Sequence, residues 1–219
     1  MQYLVHNRPD DADWTAAEDA APWADTPAAT LHNFMGDRPA HFPRTRVRML
    51  YDEQAVYLRF DVRDHYVRAA AEHHQQPVCR DSCVEFFFNP RPEEPNLYFN
   101  LEMNCGGVML FHFHPDADSR TPVAESLMRQ IQVAASLPRQ VNPEVARPTH
   151  WHVAYRLPLD VVSSYTSIDP PAPGNAWRAN FYKCADETSH PHWLTWAPVR
   201  RPQPDFHVPD NFGTLRFVP

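Results

Sequence analysis

Paired histidines are the first residues in the sequence whose type and spacing suit chemistry. The chain has 13 histidines. Three pairs stand two residues apart, namely His112 and His114, His150 and His152, and His190 and His192. Alternate residues of a strand share one face, so such a pair can supply two ligands of a metal ion. No third ligand stands at a spacing that the sequence supports, and we therefore expect solvated or core histidines and assign no metal site.

Glu85 and Glu102 are the carboxylates best placed for acid–base chemistry. Each lies in an alternating apolar tract, "CVEFFFN" (83–89) and "NLYFNLEMN" (96–104), and points away from the apolar face. Two carboxylates on neighbouring strands could form a glycosidase pair, although outward carboxylates are usually only solvated. The Gly-x-Ser-x-Gly, P-loop and Rossmann patterns are absent. A glycoside hydrolase that uses Glu85 and a second carboxylate stays open as an alternative.

A polar sheet face around Glu85 is the other interpretation of these tracts. Tyr98 and Asn100 lie on the face of their predicted strand that carries Glu102, and with Glu85 they would form a floor able to hydrogen-bond hydroxyl groups. Arg46 and Arg48 alternate with apolar residues in "TRVRMLY" (45–51) and could extend that face.

Large aromatic rings stand in the proline-rich tract 189–213, "SHPHWLTWAPVRRPQPDFHVPDNFG". Trp193 and Trp196 are three residues apart, and the surrounding prolines disfavour a helix. On an extended chain the two rings then point to opposite faces. Trp193 and Phe206 are the rings that we expect to be free to stack against a ligand.

Period-two alternation predicts about nine strands and no amphipathic helix. The predicted strands are 45–51, 55–62, 83–89, 96–104, 108–114, 129–136, 150–158, 177–184 and 213–219. A single helical turn is predicted within 159–165, and the proline-rich segments 138–148 and 169–175 are predicted to be loops. The 24 prolines also argue against long helices. The expected fold is one all-β domain, 1–219, an antiparallel β-sandwich of immunoglobulin-like or jelly-roll-like type.

Composition narrows the classes of partner and compartment. The net charge is −7, and 19 of the 20 basic residues are arginine. A negative domain without a basic cluster is a poor partner for nucleic acid or an anionic membrane surface. The chain as given opens with no signal peptide, so we expect a cytoplasmic location, or a periplasmic or extracellular one if the natural chain is longer. The four cysteines lack zinc-site spacing, and we expect free buried thiols.

The ordered set of tracts resembles a known family. The tracts are "YDEQAVYLRFDVRD" (51–64), "RDSCVEFFFNP" (80–90), "NLYFNLEMNCGGVML" (96–110), "WHVAYRLPLDVV" (151–162) and "NFYKCADETSHPHWLTWAPVRRPQPDFHVPDNFGTLRF" (180–217). This set resembles the bacterial proteins related to carbohydrate-binding module family 9 and, more distantly, the DOMON-like sandwiches. The resemblance implies a β-sandwich that binds sugars, often the end of a glucan or xylan chain, without cleaving them. It also implies a role in polysaccharide catabolism, no required cofactor, a possible structural calcium ion, and a catalytic domain or partner enzyme.

Several residues of the family's site carry over by position. The strand glutamate of the family falls on Glu85. A sandwiching tryptophan of the family falls on Cys79, which cannot stack, and an arginine that contacts hydroxyls falls near Asn100. The second sandwiching ring belongs in the loop before Phe212-Gly213, where Phe206 and His207 stand, and Trp196 matches a core tryptophan. Candidate calcium ligands are Asp52, Asp81 and Asp186.

The predicted site therefore combines hydrogen-bonding and stacking residues. Its members are Glu85, Tyr98, Asn100, Trp193, Phe206, Arg46 and Arg48. Besides the hydrolase, two alternatives stay open: a DOMON-like haem module for electron transfer, which needs axial ligands such as methionine and histidine, and a sandwich that has lost its site and serves as a partner surface.

Overall fold

Strands form most of the chain in the computed structural model, which describes residues 1–219. The strands are β1 Gln2–Asn7, β2 Ala29–Leu31, β3 Asn33–Phe34, β4 Arg44–Tyr51, β5 Ala55–Ala69, β6 Cys83–Asn89, β7 Tyr98–Asn104, β8 Met109–His114, β9 Thr121–Pro122, β10 Gln132–Ala135, β11 Val141–Pro158, β12 Ala176–Cys184, β13 Trp193–Thr195 and β14 Gly213–Val218. The short helices are α1 Glu125–Met128 and α2 Leu159–Ser163, with 3-10 turns at Val78–Arg80 and Pro209–Asn211. None of these helices has the length and apolarity that a membrane crossing requires.

Most of the strands follow one hydrogen-bonded path that folds over on itself, while β2, β3 and β13 pair beside it. Its order is β10-β11-β5-β4-β1 and then β14-β12-β6-β7-β8-β9. Phe60 on β5 and Phe181 on β12 lie far apart in this order, yet their ring centroids are 6.1 Å apart in one core. The two halves of the path therefore face each other as layers, which confirms the predicted sandwich. One departure from the prediction is β1, which runs parallel to both β14 and β4.

The predicted loop at 138–148 is wrong, because β11 runs through most of it. β11 begins at Val141 and pairs with β5 as far as Pro158. Pro143 and Pro148 fall inside two register shifts, between Val141 and Val145 and between Ala146 and Thr149. At these irregularities a strand residue donates no ladder hydrogen bond, so proline is tolerated there.

The two layers differ in what covers their outer faces. On the β4–β5 side, the segment between β1 and β2 lies over the sheet and buries Trp23 against Leu50 and Tyr57. On the β12–β6–β7 side, the loop between β13 and β14 covers part of the face and leaves a concave gap beside Trp193. This gap is the candidate site.

Candidate functional site

A pocket opens between the outer face of β12, β6 and β7 and the loop that follows β13. Its lining residues are Cys79, Glu85, Phe87, Glu102, Cys184, Asp186, Trp193, Pro204, Asp205, Phe206 and His207. The cavity volume is about 200 Å³. Sites for drug-sized ligands span about 300–1,000 Å³, so this pocket suits a single small ring.

Two glutamates form the floor of the pocket. Glu85 on β6 and Glu102 on β7 are directly opposite each other in the antiparallel register. They are only 2% and 6% exposed, because the loop after β13 covers them. The Cys184 thiol donates to Glu85 Oε1 at 3.0 Å, and the Asn100 amide donates to Glu102 Oε1 at 2.8 Å. Both carboxyls are thus held in place by neighbouring side chains.

The two carboxyls of the floor keep their protons to a higher pH than exposed glutamates do. Burial raises the pKa of Glu102 to about 7. Burial, together with the adjacent Glu102 carboxylate, holds the pKa of Glu85 well above its usual range. Neither carboxyl takes part in an ion pair. A protonated carboxyl both donates and accepts hydrogen bonds, so the floor can meet a hydroxyl in either sense.

Two aromatic rings form walls of the pocket. Trp193 is half-buried, and its indole N–H donates to Asp186 Oδ1 at 2.8 Å. Phe206 is 8% exposed, and one face of its ring is stacked on Tyr182 with centroids 4.1 Å apart. The structure therefore brings Glu85, Trp193 and Phe206, all predicted site residues, to the same pocket.

Tyr98 and Asn100 lie one step away from the pocket. Asn100 is buried, and its amide group is used on both sides, because Nδ2 donates to Glu102 and Oδ1 accepts from His114 Nε2 at 2.8 Å. It orients Glu102 rather than facing the cavity. Tyr98 shares a 2.9 Å hydrogen bond with His207 Nδ1 and lines a neighbouring groove.

Arg46 and Arg48 do not extend the Glu85 face, which corrects the prediction. They point outward from β4, which belongs to the opposite layer of the sandwich. There both guanidinium groups are bonded to Glu18, and Arg48 also lies 3.3 Å from Asp61. These arginines fasten the segment between β1 and β2 onto the sheet.

The histidine pair His190 and His192 packs against neighbouring side chains. The best packed is His192, which is fully buried and accepts from Lys183 Nζ at 2.7 Å, with Asp64 3.6 Å from the same ammonium. His190, its pair, stacks on Tyr66 with ring centroids 3.6 Å apart. His192 therefore supports a buried lysine–aspartate pair.

The calcium candidates differ in what surrounds them. Asp52 accepts from the backbone N–H groups of Gln54 and Ala55 in a turn. Asp81 accepts from the backbone N–H groups of the segment after β5 and from Asn104 Nδ2. Asp186 stands apart, in the pocket beside Trp193.

Sequence reasoning missed several residues of the pocket. Cys184, Asp186 and Asp205 line it, although none of them was predicted to contact a sugar and Asp186 was considered only as a calcium ligand. Alternation along 177–184 places Cys184 on the outer side of its strand, so the face on which it lies could be predicted. Its position beside Glu85 depends on the pairing of β12 with β6, which no local pattern specifies.

Two known proteins are similar to this chain over most of its length. An extracellular protein of Arthroderma benhamiae is 20% identical over 194 residues, 81% of this chain and 80% of that protein. A structure from Bacteroides uniformis, to which carbohydrate binding has been ascribed, superposes with a TM-score of 0.87 at 25% identity, covering 99% of this chain and 98% of that chain.

Two further structures share the fold at lower identity. A carbohydrate-binding module of family 9 from Caldicellulosiruptor kristjanssonii, in complex with glucose, has a TM-score of 0.66 at 12% identity and covers 99% of this chain and 95% of that chain. A family 9 module of the same organism in complex with cellotriose has a TM-score of 0.63 at 12% identity and covers 99% of this chain and 93% of that chain. The sequence model of carbohydrate-binding family 9 matches residues 23–217, nearly the whole chain. The chain therefore belongs to carbohydrate-binding family 9.

Proposed function

We propose that this chain binds carbohydrate without cleaving it, and that the sugar occupies the pocket above Glu85. The observation that carries the assignment of the site is the convergence on one concave surface of Glu85 with Trp193 and Phe206, which follow it by more than 100 residues. Membership of a carbohydrate-binding family supports the function itself.

The chemistry of the pocket matches the two kinds of surface on a pyranose ring. The apolar C–H face of a sugar can lie against the Trp193 ring, where burial contributes roughly 25 cal/mol per Å² of apolar area. The hydroxyl edge can reach Glu85 and Glu102 on the floor, whose carboxyl groups can both donate hydrogen bonds to a hydroxyl and accept them from it. Because Tyr182 covers one face of Phe206, that ring serves as a wall and Trp193 as the platform.

The size of the pocket favours the end of a glucan or xylan chain. A cavity of about 200 Å³ holds one terminal ring, and the rest of the chain would extend into solvent. Family 9 modules of C. kristjanssonii bind glucose and cellotriose, so these are the first ligands to try. Association with a catalytic domain or partner enzyme stays a prediction.

The geometry of the acids does not favour a hydrolase. Glycosidases place two carboxyls on either side of the scissile bond. Glu85 and Glu102 instead stand side by side on adjacent strands, so both lie beneath any ligand. The pocket contains His207 but no methionine, which gives no support to haem ligation by those two residue types.

Isothermal titration of glucose, cellotriose and xylotriose tests the proposal. We expect saturable binding of at least one of them, and an affinity about tenfold lower in Trp193→Ala, which corresponds to about 1.4 kcal/mol. Glu85→Gln should also weaken binding, while Glu53→Gln, an exposed glutamate outside the pocket, should not. Chromatography of the incubated oligosaccharide should show no shorter products.

Three results would count against this function or site. Absence of binding across a broad glycan array would reject carbohydrate binding. Unchanged affinity in both Trp193→Ala and Glu85→Gln would move the site elsewhere. Release of shorter sugars by the wild-type chain, lost in Glu85→Gln, would favour the hydrolase.

A further inference from the structure

Cys83, Glu85 and Cys184 form a compact cluster at the base of the pocket. Cys83 and Glu85 stand two apart on β6 and share its outer face, and Cys184 on β12 is directly opposite Cys83. One sulfur from each cysteine and one carboxylate oxygen all lie within 4.8 Å of one another. The side chains are 0%, 2% and 1% exposed. The register of two strands thus gathers two thiols and a carboxyl in one buried place.

No basic side chain of the protein is paired with the carboxyls at this cluster. A second group with the same spacing, formed by Glu18, Asp61 and His150, provides the contrast. Three arginines are bonded to that second group, namely Arg46, Arg48 and Arg59. No arginine, lysine or histidine forms an ion pair with Glu85 or Glu102. Two adjacent buried carboxyls without a cation are costly when ionised, so the base of the pocket favours positive charge.

We propose that Cys83, Glu85 and Cys184 bind one thiophilic divalent cation, for which Zn²⁺ is the probe. Zinc lies about 2.3 Å from thiolate sulfur and about 2.0–2.2 Å from carboxylate oxygen, so tetrahedral neighbours are about 3.6–3.8 Å apart. That spacing falls within the 4.8 Å span of the cluster. Thiolate ligands select zinc over magnesium and calcium.

Binding is a ligand exchange in which atoms and charge balance. The two thiols and the protonated carboxyl of Glu85 release their protons to solvent, and each sulfur donates an electron pair to the cation. The carboxylate of Glu85 supplies the third pair, and no oxidant or reductant is involved. The Cys184 thiol, which donates to Glu85 Oε1 at 3.0 Å in this structure, gives up that hydrogen bond.

The fourth position of such an ion would open into the pocket. Glu85 and Cys184 line the cavity, whereas Cys83 lies behind them. Water, or a hydroxyl of whatever occupies the pocket, can complete the coordination. The inference does not depend on carbohydrate binding, because the three ligands belong to the protein itself.

Metal retention by the reduced, folded chain is the direct test. After dialysis against Zn²⁺ with a phosphine reductant, we expect about one zinc per chain by elemental analysis. Co²⁺ should give a near-ultraviolet thiolate-to-cobalt charge-transfer band. Cys83→Ser and Cys184→Ser should bind at least about tenfold more weakly and show a weaker band, because each retains only one of the two thiolates. Cys105→Ser is the matched control, since Cys105 is a buried thiol outside the cluster.

Measurements on the wild-type chain can reject the inference even if a variant folds poorly. Folded, reduced wild-type chain that retains no Zn²⁺, or binds Co²⁺ without the thiolate band, overturns it. So does displacement of Zn²⁺ by Ca²⁺, or unchanged binding in a folded Cys184→Ser. Titration of cellotriose into metal-stripped chain separates the two proposals, because sugar binding and metal binding can each fail alone.

Discussion

The indole N–H of Trp193 donates to the carboxylate of Asp186 at 2.8 Å, and both side chains line the pocket. Trp193 begins β13, where it pairs with Cys184 at the end of β12. The hydrogen bond therefore ties the ring to the turn between those two strands. It fixes the orientation of the ring before any ligand arrives.

Asp186→Ala tests how much this orientation matters. Without the acceptor the indole can rotate, and we expect sugar affinity to fall about 2- to 10-fold, because one hydrogen bond contributes about 0.5–1.5 kcal/mol. Asp186→Asn keeps an acceptor oxygen and should retain most of the affinity. Titration of the three proteins with the same oligosaccharide is the measurement. Equal losses in the alanine and asparagine variants would mean that the carboxylate charge matters rather than the position of the ring.

Arg48→Ala should separate stability from binding. Arg48 is 7% exposed and holds the backbone carbonyl of Thr26 at 3.1 Å as well as Asp61 at 3.3 Å. Removal of one partner from a buried charged network costs about 3–5 kcal/mol. We expect a loss of this size in urea unfolding. Sugar affinity of the folded variant should stay unchanged, because Arg48 lies on the opposite layer. A weaker affinity at full folding would contradict this placement.

The strands around the pocket were predictable because their alternation is strong. In β6, Val84, Phe86 and Phe88 enter the core while Glu85 points outward. The predicted bounds of this strand, 83–89, agree with the structure. The three-residue strand β13 is absent from the predicted strands, since a segment this short has no periodicity to detect.

Residues that meet through long-range pairing were less predictable. Alternation shows that Arg46 and Glu85 both point outward, but not that their strands enter opposite layers. It also cannot show that the loop after β13 folds back to place Phe206 and Asp205 over Glu85. That position depends on contacts between segments more than 100 residues apart, which no local pattern encodes.

His192 should make the fold sensitive to acid. Burial, and then the nearby Lys183 ammonium, lower the pKa of His192 to about 3, against about 6.5 in an unfolded chain. Between these values the folded state binds fewer protons than the unfolded state. The contribution of His192 to stability is therefore complete above about pH 6.5 and is lost as the pH falls toward 3.

His192→Asn measures that contribution. Urea unfolding at several pH values between about 4 and 6 should show a slope of stability against pH reduced by up to about 1.4 kcal/mol per unit. His32→Asn, at an exposed histidine, should leave the slope as it is in the wild type. An unchanged slope in His192→Asn would show that the imidazole does not remain neutral in the folded chain.

Trp196, unlike Trp193, belongs to the core, and its ring leaves no room for a side chain at Gly213. Trp196 is 3% exposed, and a Cβ added at Gly213 would lie 2.6 Å from its Cζ3 and 2.8 Å from its Cη2. Gly213→Ala should therefore lower the free energy of unfolding by about 1–3 kcal/mol, the usual cost of overpacking. A smaller ring in Trp196→Phe would leave room for the added methyl group. The double variant should consequently be more stable than the sum of the single losses by at least about 1 kcal/mol in urea unfolding. Additive losses would mean that alanine at position 213 disturbs the start of β14 rather than the tryptophan ring.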